Sequence, residues 1–162
     1  MRERRTLLLS IRPRFAELIL SGSKSVELRR VPPKVAEGDL ILLYASSPVR
    51  ELVGVCAVAR VDVASRSELW KRHGRDSGLQ KSEFGSYLNG AARPGAISLL
   101  NPRRVVEPRT LDELRELLPG FSPPQSFCYV SWDTVRKLEL FIEGGALLGA
   151  DEDPANRLQP HD

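Results

Sequence analysis

Several residue types that support common chemistries are scarce in this sequence. The 162 residues include two cysteines, Cys56 and Cys128, and two histidines, His73 and His161. This is too few cysteines for a disulfide scaffold and too few ligands for a typical zinc site. Neither a G-x-x-x-x-G-K-[ST] motif nor a G-x-G-x-x-G motif is present. We therefore expect no metal, no nucleotide cofactor and no other cofactor.

Long apolar runs are also absent. No run approaches the roughly 18 residues that cross a bilayer, so we expect no membrane partner. The basic N-terminus is followed only by the short run Leu7–Ile11, which is too short for the core of a signal peptide. Together with the low cysteine content, this predicts a reducing, cytoplasmic location.

The composition is typical of one globular domain. Hydrophobic residues make up 41% of the chain and charged residues 28%, and a chain of this length buries about two-thirds of its unfolded surface. The net charge is +3, but residues 151–162 carry −3, so the preceding residues carry +6, mostly as arginine. An arginine-rich body suits contact with phosphate, although solvated surface charge gives the same composition. We expect a domain over residues 1–148 and a disordered acidic tail over residues 149–162.

Hydrophobic periodicity and turn residues predict short alternating elements. The predicted strands are Thr6–Ile11, Ser25–Arg29, Leu40–Tyr44, Leu52–Val63 with a bulge at Gly54, Ala96–Val106 with an interruption at Asn101-Pro102, and Phe127–Val130. The predicted helices are Pro13–Ser21, one capped by Ser65, one capped by Ser82, one capped by Thr110, and Trp132–Glu143. This pattern predicts an α+β fold with a small barrel of about five to six strands and short peripheral helices.

One predicted strand carries an unusual polar face. Ser25, Glu27 and Arg29 alternate with apolar residues, so their side chains share one face of the strand. Lys24 stands at the entrance of the strand, immediately after the helix that Gly22 ends. This convergence of charges indicates a pocket, although an edge strand protected by charges has the same pattern.

The segment Gly22–Arg29 also matches a family signature. It resembles the GxKxxExR motif of ASCH domains, which belong to the PUA-like superfamily. The flanking segments Leu9–Pro13, Gly38-Asp39, Leu43–Pro48 and Pro123–Phe127 are similar to this family as well. The resemblance extends from about Leu7 to the end of the last helix.

The resemblance implies a PUA-like β-barrel with a cleft between the barrel and the first helix. It implies that the cleft binds RNA or a nucleoside that carries a modified or unmodified base, and it leaves DNA binding and protein partners open. The expected ligand-binding residues are Lys24, Glu27, Arg29, Arg12, Arg14, Tyr44, Ser46 and Ser126. We expect Lys24 and Glu27 to be exposed, so that their substitution weakens binding with little loss of stability.

Two alternatives to a binding module follow. Relatives with this motif include acetylcytidine amidohydrolases and proposed ribonucleases, in which case Lys24 and Glu27 are the expected catalytic residues. Glu27 stands where the amidohydrolases have a threonine three residues after the lysine, so their nucleophile is missing from its place. The second alternative is a regulatory module that senses a small metabolite.

Overall fold

The computed structural model describes residues 2–147, which form one extended sheet and several short helices. The strands are β1 (Thr6–Ile11), β2 (Val26–Arg29), β3 (Leu40–Ala45), β4 (Glu51–Val63), β5 (Gly95–Thr110), β6 (Phe127–Val130), β7 (Phe141–Ile142) and β8 (Gly145–Ala146). The α-helices are α1 (Pro13–Leu20), α2 (Arg66–His73), α3 (Lys81–Leu88), α4 (Leu111–Leu117) and α5 (Trp132–Leu138).

The eight strands belong to one sheet with the order β6-β1-β3-β4-β5-β7-β8, and β2 pairs with the first part of β5. Only β1 and β3 are parallel among the pairs formed within residues 2–147. No strand pairing among these residues joins β6 to β8, so the sheet is open. The α+β prediction is confirmed, but barrel closure is not, and the strand count exceeds the expected five to six.

Strands β1 and β3 are buried on both faces of the sheet. Leu7, Leu9 and Ile11 pack with α1 on one side, whereas Leu8 packs on the other side with a cluster that includes residues of α4 and α5. This explains why β1 and β3 have continuous apolar sequences, because successive side chains point to opposite faces. A third cluster packs β2 against α2 and α3.

The connection from α1 to β2 follows the sequence prediction. Pro13 occupies the first turn of α1, and the helix ends just before Gly22, whose φ is +84°. This left-handed conformation suits glycine, which has no Cβ. The backbone N–H of Lys24 then donates to the carbonyl of Leu18 at 2.9 Å, which fixes the motif against the end of α1.

Four sequence predictions are corrected by the structure. The N-cap of α3 is Gln80, paired with Glu83 in a capping box, and not Ser82. Helix α5 ends at Leu138 because the next residue has a positive φ, and the remaining residues of the predicted helix include β7, which pairs with β5. Strand β5 continues through Asn101, and the extra residue of the predicted bulge is Val53 rather than Gly54.

The predicted tail over residues 149–162 lies outside the described residues. Within residues 2–147, no helix has the length and apolar character to cross a bilayer.

Candidate functional site: a polar cleft beside β2

A cleft of about 630 Å³ lies where α1, β2 and α3 meet. Five of the eight predicted ligand-binding residues line it: Lys24, Glu27, Arg29, Arg12 and Ser46. These residues come from three separate segments of the chain, which the pairing of β1 with β3 and the turn at Gly22 bring together. The volume is within the range typical of small-ligand pockets.

Lys24 is buried, contrary to the expectation from sequence. Its side chain is 2% exposed, and Nζ donates to the carbonyl oxygen of Ser77. Nζ also lies 5.2 Å from the centre of the Phe15 ring. Burial lowers the pKa of the Lys24 amine from its ordinary value of 10.5, and the nearby Glu27 carboxylate opposes this effect only in part. The amine therefore loses its proton more readily than a surface lysine.

Glu27 is also buried, with an exposed fraction of 7%. Its Oε2 atom lies 3.5 Å from Lys24 Nζ, and Oε1 lies 3.6 Å from Arg29 Nη2. Both distances are too long for a well-formed hydrogen bond, and Oε2 is buried without a hydrogen-bond partner. The carboxylate is therefore neutralised by two cations but left with unused acceptor capacity.

Arg29 connects two parts of the fold across the cleft. Its Nη2 donates to the backbone carbonyl of Ser10 at 3.1 Å, and its Nη1 donates to Oγ of Ser126 at 3.2 Å. Ser10 lies near the end of β1 and Ser126 precedes β6, so the guanidinium joins β2 to that pair of strands. Its Nε atom is buried without a partner, as is Oγ of Ser10.

The walls of the cleft contain residues that the sequence analysis missed. Tyr87 on α3 lines the cleft, is 39% exposed and donates its hydroxyl to the carbonyl of Leu28 at 3.3 Å. Phe15 and Leu79 add apolar surface. The helical spacing places Tyr87 near Phe84 and Leu88, which is typical of a core position, and only the packing of α3 against β2 shows that it faces the cleft.

The mouth of the cleft is marked by charged side chains. Arg12 is exposed and lines the cleft, whereas the nearby Arg14 donates to Glu83 Oε2 at 2.9 Å. This exposed ion pair connects α1 to α3. Arg14 is therefore at the mouth but already has a protein partner.

Two predicted site residues have other positions. Tyr44 is buried in the core cluster with Leu42 and Leu52, because the alternation along β3 directs it to the face that carries α4 and α5. Tyr44 is therefore not a wall of the cleft, contrary to our expectation. Ser126 is next to Gln125, which lines the cleft, and its hydroxyl accepts from Arg29.

Among residues 2–147, no group of three or more histidine, cysteine, aspartate or glutamate side chains is arranged to hold a metal ion.

Comparison with known proteins identifies the family. The sequence profile of the ASCH domain matches residues 9–109, and the chain belongs to this family. It is 32% identical over 136 residues to an ASCH domain-containing ribonuclease of Zymomonas mobilis, and the match covers 84% of this chain and 91% of the relative.

Solved structures of ASCH proteins have the same fold as this chain. The crystal structure of ASCH from Zymomonas mobilis has a TM-score of 0.77 and 32% identity, and the match covers 84% of this chain and 94% of that one. The N-terminal domain of Staphylothermus marinus McrB, at a TM-score of 0.53 and 12% identity, shares the fold over 82% of this chain and 91% of that one. The fold is therefore that of the ASCH domains.

Proposed function

We propose that this ASCH protein binds RNA and holds one unpaired base in the cleft beside β2. The observation that carries the proposal is the buried carboxylate of Glu27, which lines a cleft of about 630 Å³ and has an oxygen without a hydrogen-bond partner. The similarity to a protein named as a ribonuclease supports RNA as the class of ligand.

The energetics of Glu27 favour a ligand. A buried polar group without its hydrogen bonds costs about 1–3 kcal/mol, and more when the group is charged. A base whose N–H reaches Glu27 removes this cost. Proteins that read RNA bind unstacked bases in this way, through hydrogen bonds to base edges together with contacts to the base faces. Phe15 and Tyr87 supply aromatic surface in the same cleft.

The charges at the mouth suit the sugar-phosphate backbone. Arg12 is exposed beside the cleft, and residues 1–150 carry a net charge of +6. Phosphate contacts of this kind position a nucleic acid, whereas base contacts specify it. Binding should therefore weaken as salt increases.

A binding measurement tests the proposal. Fluorescence anisotropy with a labelled single-stranded RNA of mixed sequence should give saturable, salt-dependent binding to the wild type, weakened in Glu27→Gln and in Lys24→Met. Lys137→Ala is the matched control, because Lys137 is exposed on α5, which packs on the other face of the sheet. Absence of RNA binding by the wild type, or equal binding by all variants, contradicts the proposal. A single-stranded DNA of the same sequence measures whether the ribose matters.

Cleavage of RNA is a second candidate, favoured by the name of the relative and by the lowered pKa of Lys24. A neutral Lys24 amine would take the proton from a ribose 2′-hydroxyl, whose oxygen attacks the adjacent phosphorus as the bond to the 5′-oxygen breaks. The leaving oxygen takes a proton from solvent. The products are a 2′,3′-cyclic phosphate and a 5′-hydroxyl, with Lys24 as the general base.

Mass spectrometry of the RNA after incubation separates the two candidates. Cyclic phosphate ends that form with the wild type and not with Lys24→Met support cleavage. Recovery of intact, unmodified RNA bound to the wild type supports binding and contradicts cleavage. A changed nucleoside in intact RNA supports amidohydrolase chemistry, and a protein that neither binds nor changes RNA favours the metabolite-sensing alternative.

A further inference from the structure

The hydrogen bonds at the floor of the cleft leave one carboxylate oxygen of Glu27 without a donor. Lys24 directs Nζ to the carbonyl of Ser77, and both terminal nitrogens of Arg29 donate to Ser10 or Ser126. The two cations therefore neutralise Glu27 but donate their hydrogen bonds to other acceptors. Glu27 Oε2 accepts no hydrogen bond from the described residues, since even Lys24 Nζ lies 3.5 Å away, and the partner it lacks is an N–H or O–H donor.

The four RNA bases differ in their ability to supply that donor. Cytosine and adenine each carry an exocyclic amino group beside a ring nitrogen acceptor, and guanine presents an amino group beside a ring N–H. Uracil has no amino group, and its one ring N–H lies between two carbonyl oxygens. When that N–H faces a carboxylate, at least one carbonyl oxygen is brought close to negative charge.

A second unpartnered atom fits the same bases. Arg29 Nε is a buried donor without an acceptor, and Arg29 also lines the cleft. In cytosine and adenine, the ring nitrogen next to the amino group is an acceptor. A base with an amino donor and a neighbouring acceptor carries the two kinds of group that the unpartnered atoms of Glu27 and Arg29 lack.

We propose that the cleft selects an unpaired base that carries an exocyclic amino group over uracil, and that Glu27 is the residue that determines this specificity. This inference rests on the proposed RNA binding and adds the class of base. A site that requires a hydrogen-bond donor rejects ligands that lack it, because its own buried polar group remains unpaired.

Single-base substitution in a short RNA provides the test. Heptamers of uridine with cytidine, adenosine, guanosine or uridine at the central position are compared by anisotropy at one salt concentration. Wild type should bind the three amino-bearing heptamers about ten-fold or more tightly than the all-uridine heptamer. In Glu27→Gln the difference should shrink to about two-fold, because an amide both donates and accepts. Glu116→Gln, an exposed change on α4, should keep the wild-type preference.

Removing the amino group from the RNA base gives a test that uses only wild-type protein and so does not depend on whether a variant folds. Replacing the central adenosine with purine riboside removes only the amino group, and this heptamer should bind wild-type protein as weakly as the all-uridine one. Equal affinity for all heptamers, or for adenosine and purine riboside, overturns the selectivity and leaves RNA binding intact. Failure of the wild type to bind any of these heptamers or the mixed-sequence RNA contradicts the proposed function itself.

Discussion

Glu27 and Arg29 lie two residues apart on β2 and approach to 3.6 Å between Oε1 and Nη2, yet the guanidinium donates its hydrogen bonds to Ser10 and Ser126. The arginine connects the strands that border the cleft, and Oε2 of the glutamate remains without a hydrogen-bond partner. Arg29 and Glu27 therefore differ in role although they lie on the same face of β2: Arg29 is hydrogen-bonded to neighbouring strands, whereas Glu27 has an unused acceptor.

The role of Arg29 predicts a loss of stability when it is changed. Arg29→Ala removes the connection between β2 and the β1–β6 pair and leaves Glu27 buried with one fewer cation nearby. Breaking a buried ion pair costs about 3–5 kcal/mol, so the free energy of unfolding measured in urea should fall by about 3 kcal/mol. Arg93→Ala, a change at an exposed arginine, should alter it by less than about 0.5 kcal/mol. A decrease for Arg29→Ala no larger than that of the control contradicts the bridging role.

Asp39 predicts a stability effect at acid pH. Its carboxylate is buried and accepts hydrogen bonds from Arg2, from the backbone N–H of Arg5 and from that of Ala36. Burial raises the pKa of Asp39, but these hydrogen bonds outweigh burial and hold it below its ordinary value of 3.8. The resulting stability is present above pH 3.8 and is lost as the pH falls through the lower pKa of the folded state.

Urea denaturation of Asp39→Asn at several pH values measures this contribution. At pH 7 the variant should unfold with a free energy about 2–3 kcal/mol lower than that of the wild type. The difference should narrow as the pH falls below 3.8. The exposed change Glu107→Gln should not alter the pH dependence in this way. A difference independent of pH would show that the carboxylate charge of Asp39 contributes nothing.

Lys24 predicts a stability effect at alkaline pH, with the same sign as that of Asp39. Because burial lowers its pKa in the folded state, the unfolded chain binds more protons between that lowered pKa and 10.5. Stability therefore rises with pH across this window. Wild type should gain free energy of unfolding relative to Lys24→Met as the pH approaches 10.5. A constant difference between the two proteins from pH 7 to 10.5 contradicts the lowered pKa.

Two glycines predict opposite effects of the same substitution. A Cβ at Gly54 would lie 2.5 Å from Leu20 Cδ2 and 2.9 Å from the backbone oxygen of Arg103, whereas a Cβ at Gly85 in α3 would meet nothing within 4 Å. Gly54→Ala should cost about 1–3 kcal/mol of stability. Gly85→Ala should add about 0.5–1 kcal/mol, because alanine favours a helix. Thermal unfolding measures both, and a stabilised Gly54→Ala protein contradicts the close packing of α1 on β4.

The salt dependence of RNA binding tests the assignment at the mouth of the cleft. Arg12→Gln should weaken binding to all RNA sequences alike. It should also reduce the slope of log affinity against log salt by about 0.7–1 for each phosphate that Arg12 neutralises. Measurements at a series of salt concentrations give the slope. If Arg12→Gln changes the base preference but not the salt slope, Arg12 contacts a base and not a phosphate, which contradicts the assignment.

The sequence predicted the strands and the polar face with good accuracy, because periodicity reflects local geometry. Thr6–Ile11 and Phe127–Val130 were predicted with the bounds that the structure has, and the spacing of Glu27 and Arg29 placed both side chains on one face of β2. Tyr44 was misplaced because alternation along a strand that is buried on both faces does not indicate which face borders the cleft.

The burial of Lys24 and Glu27 and the identity of their contact partners could not be predicted from the sequence. Lys24 and Glu27 were expected on the surface because charged residues are mostly exposed. Their burial depends on α3 and on the turn at Ser77, which lies 53 residues beyond Lys24 along the chain. Tyr87 was missed for the same reason, since only the packing of α3 against β2 brings it to the cleft.

The location of RNA in the cleft is the central claim, and photo-crosslinking tests it most directly. A heptamer of 4-thiouridine with a central cytidine, irradiated with the wild-type protein and digested, gives crosslinked peptides that mass spectrometry identifies. We predict crosslinks in the peptides that carry Phe15 and Tyr87, reduced in Glu27→Gln and unchanged in Glu116→Gln. Crosslinks confined to α4, α5 and the face of the sheet that they cover would contradict the account.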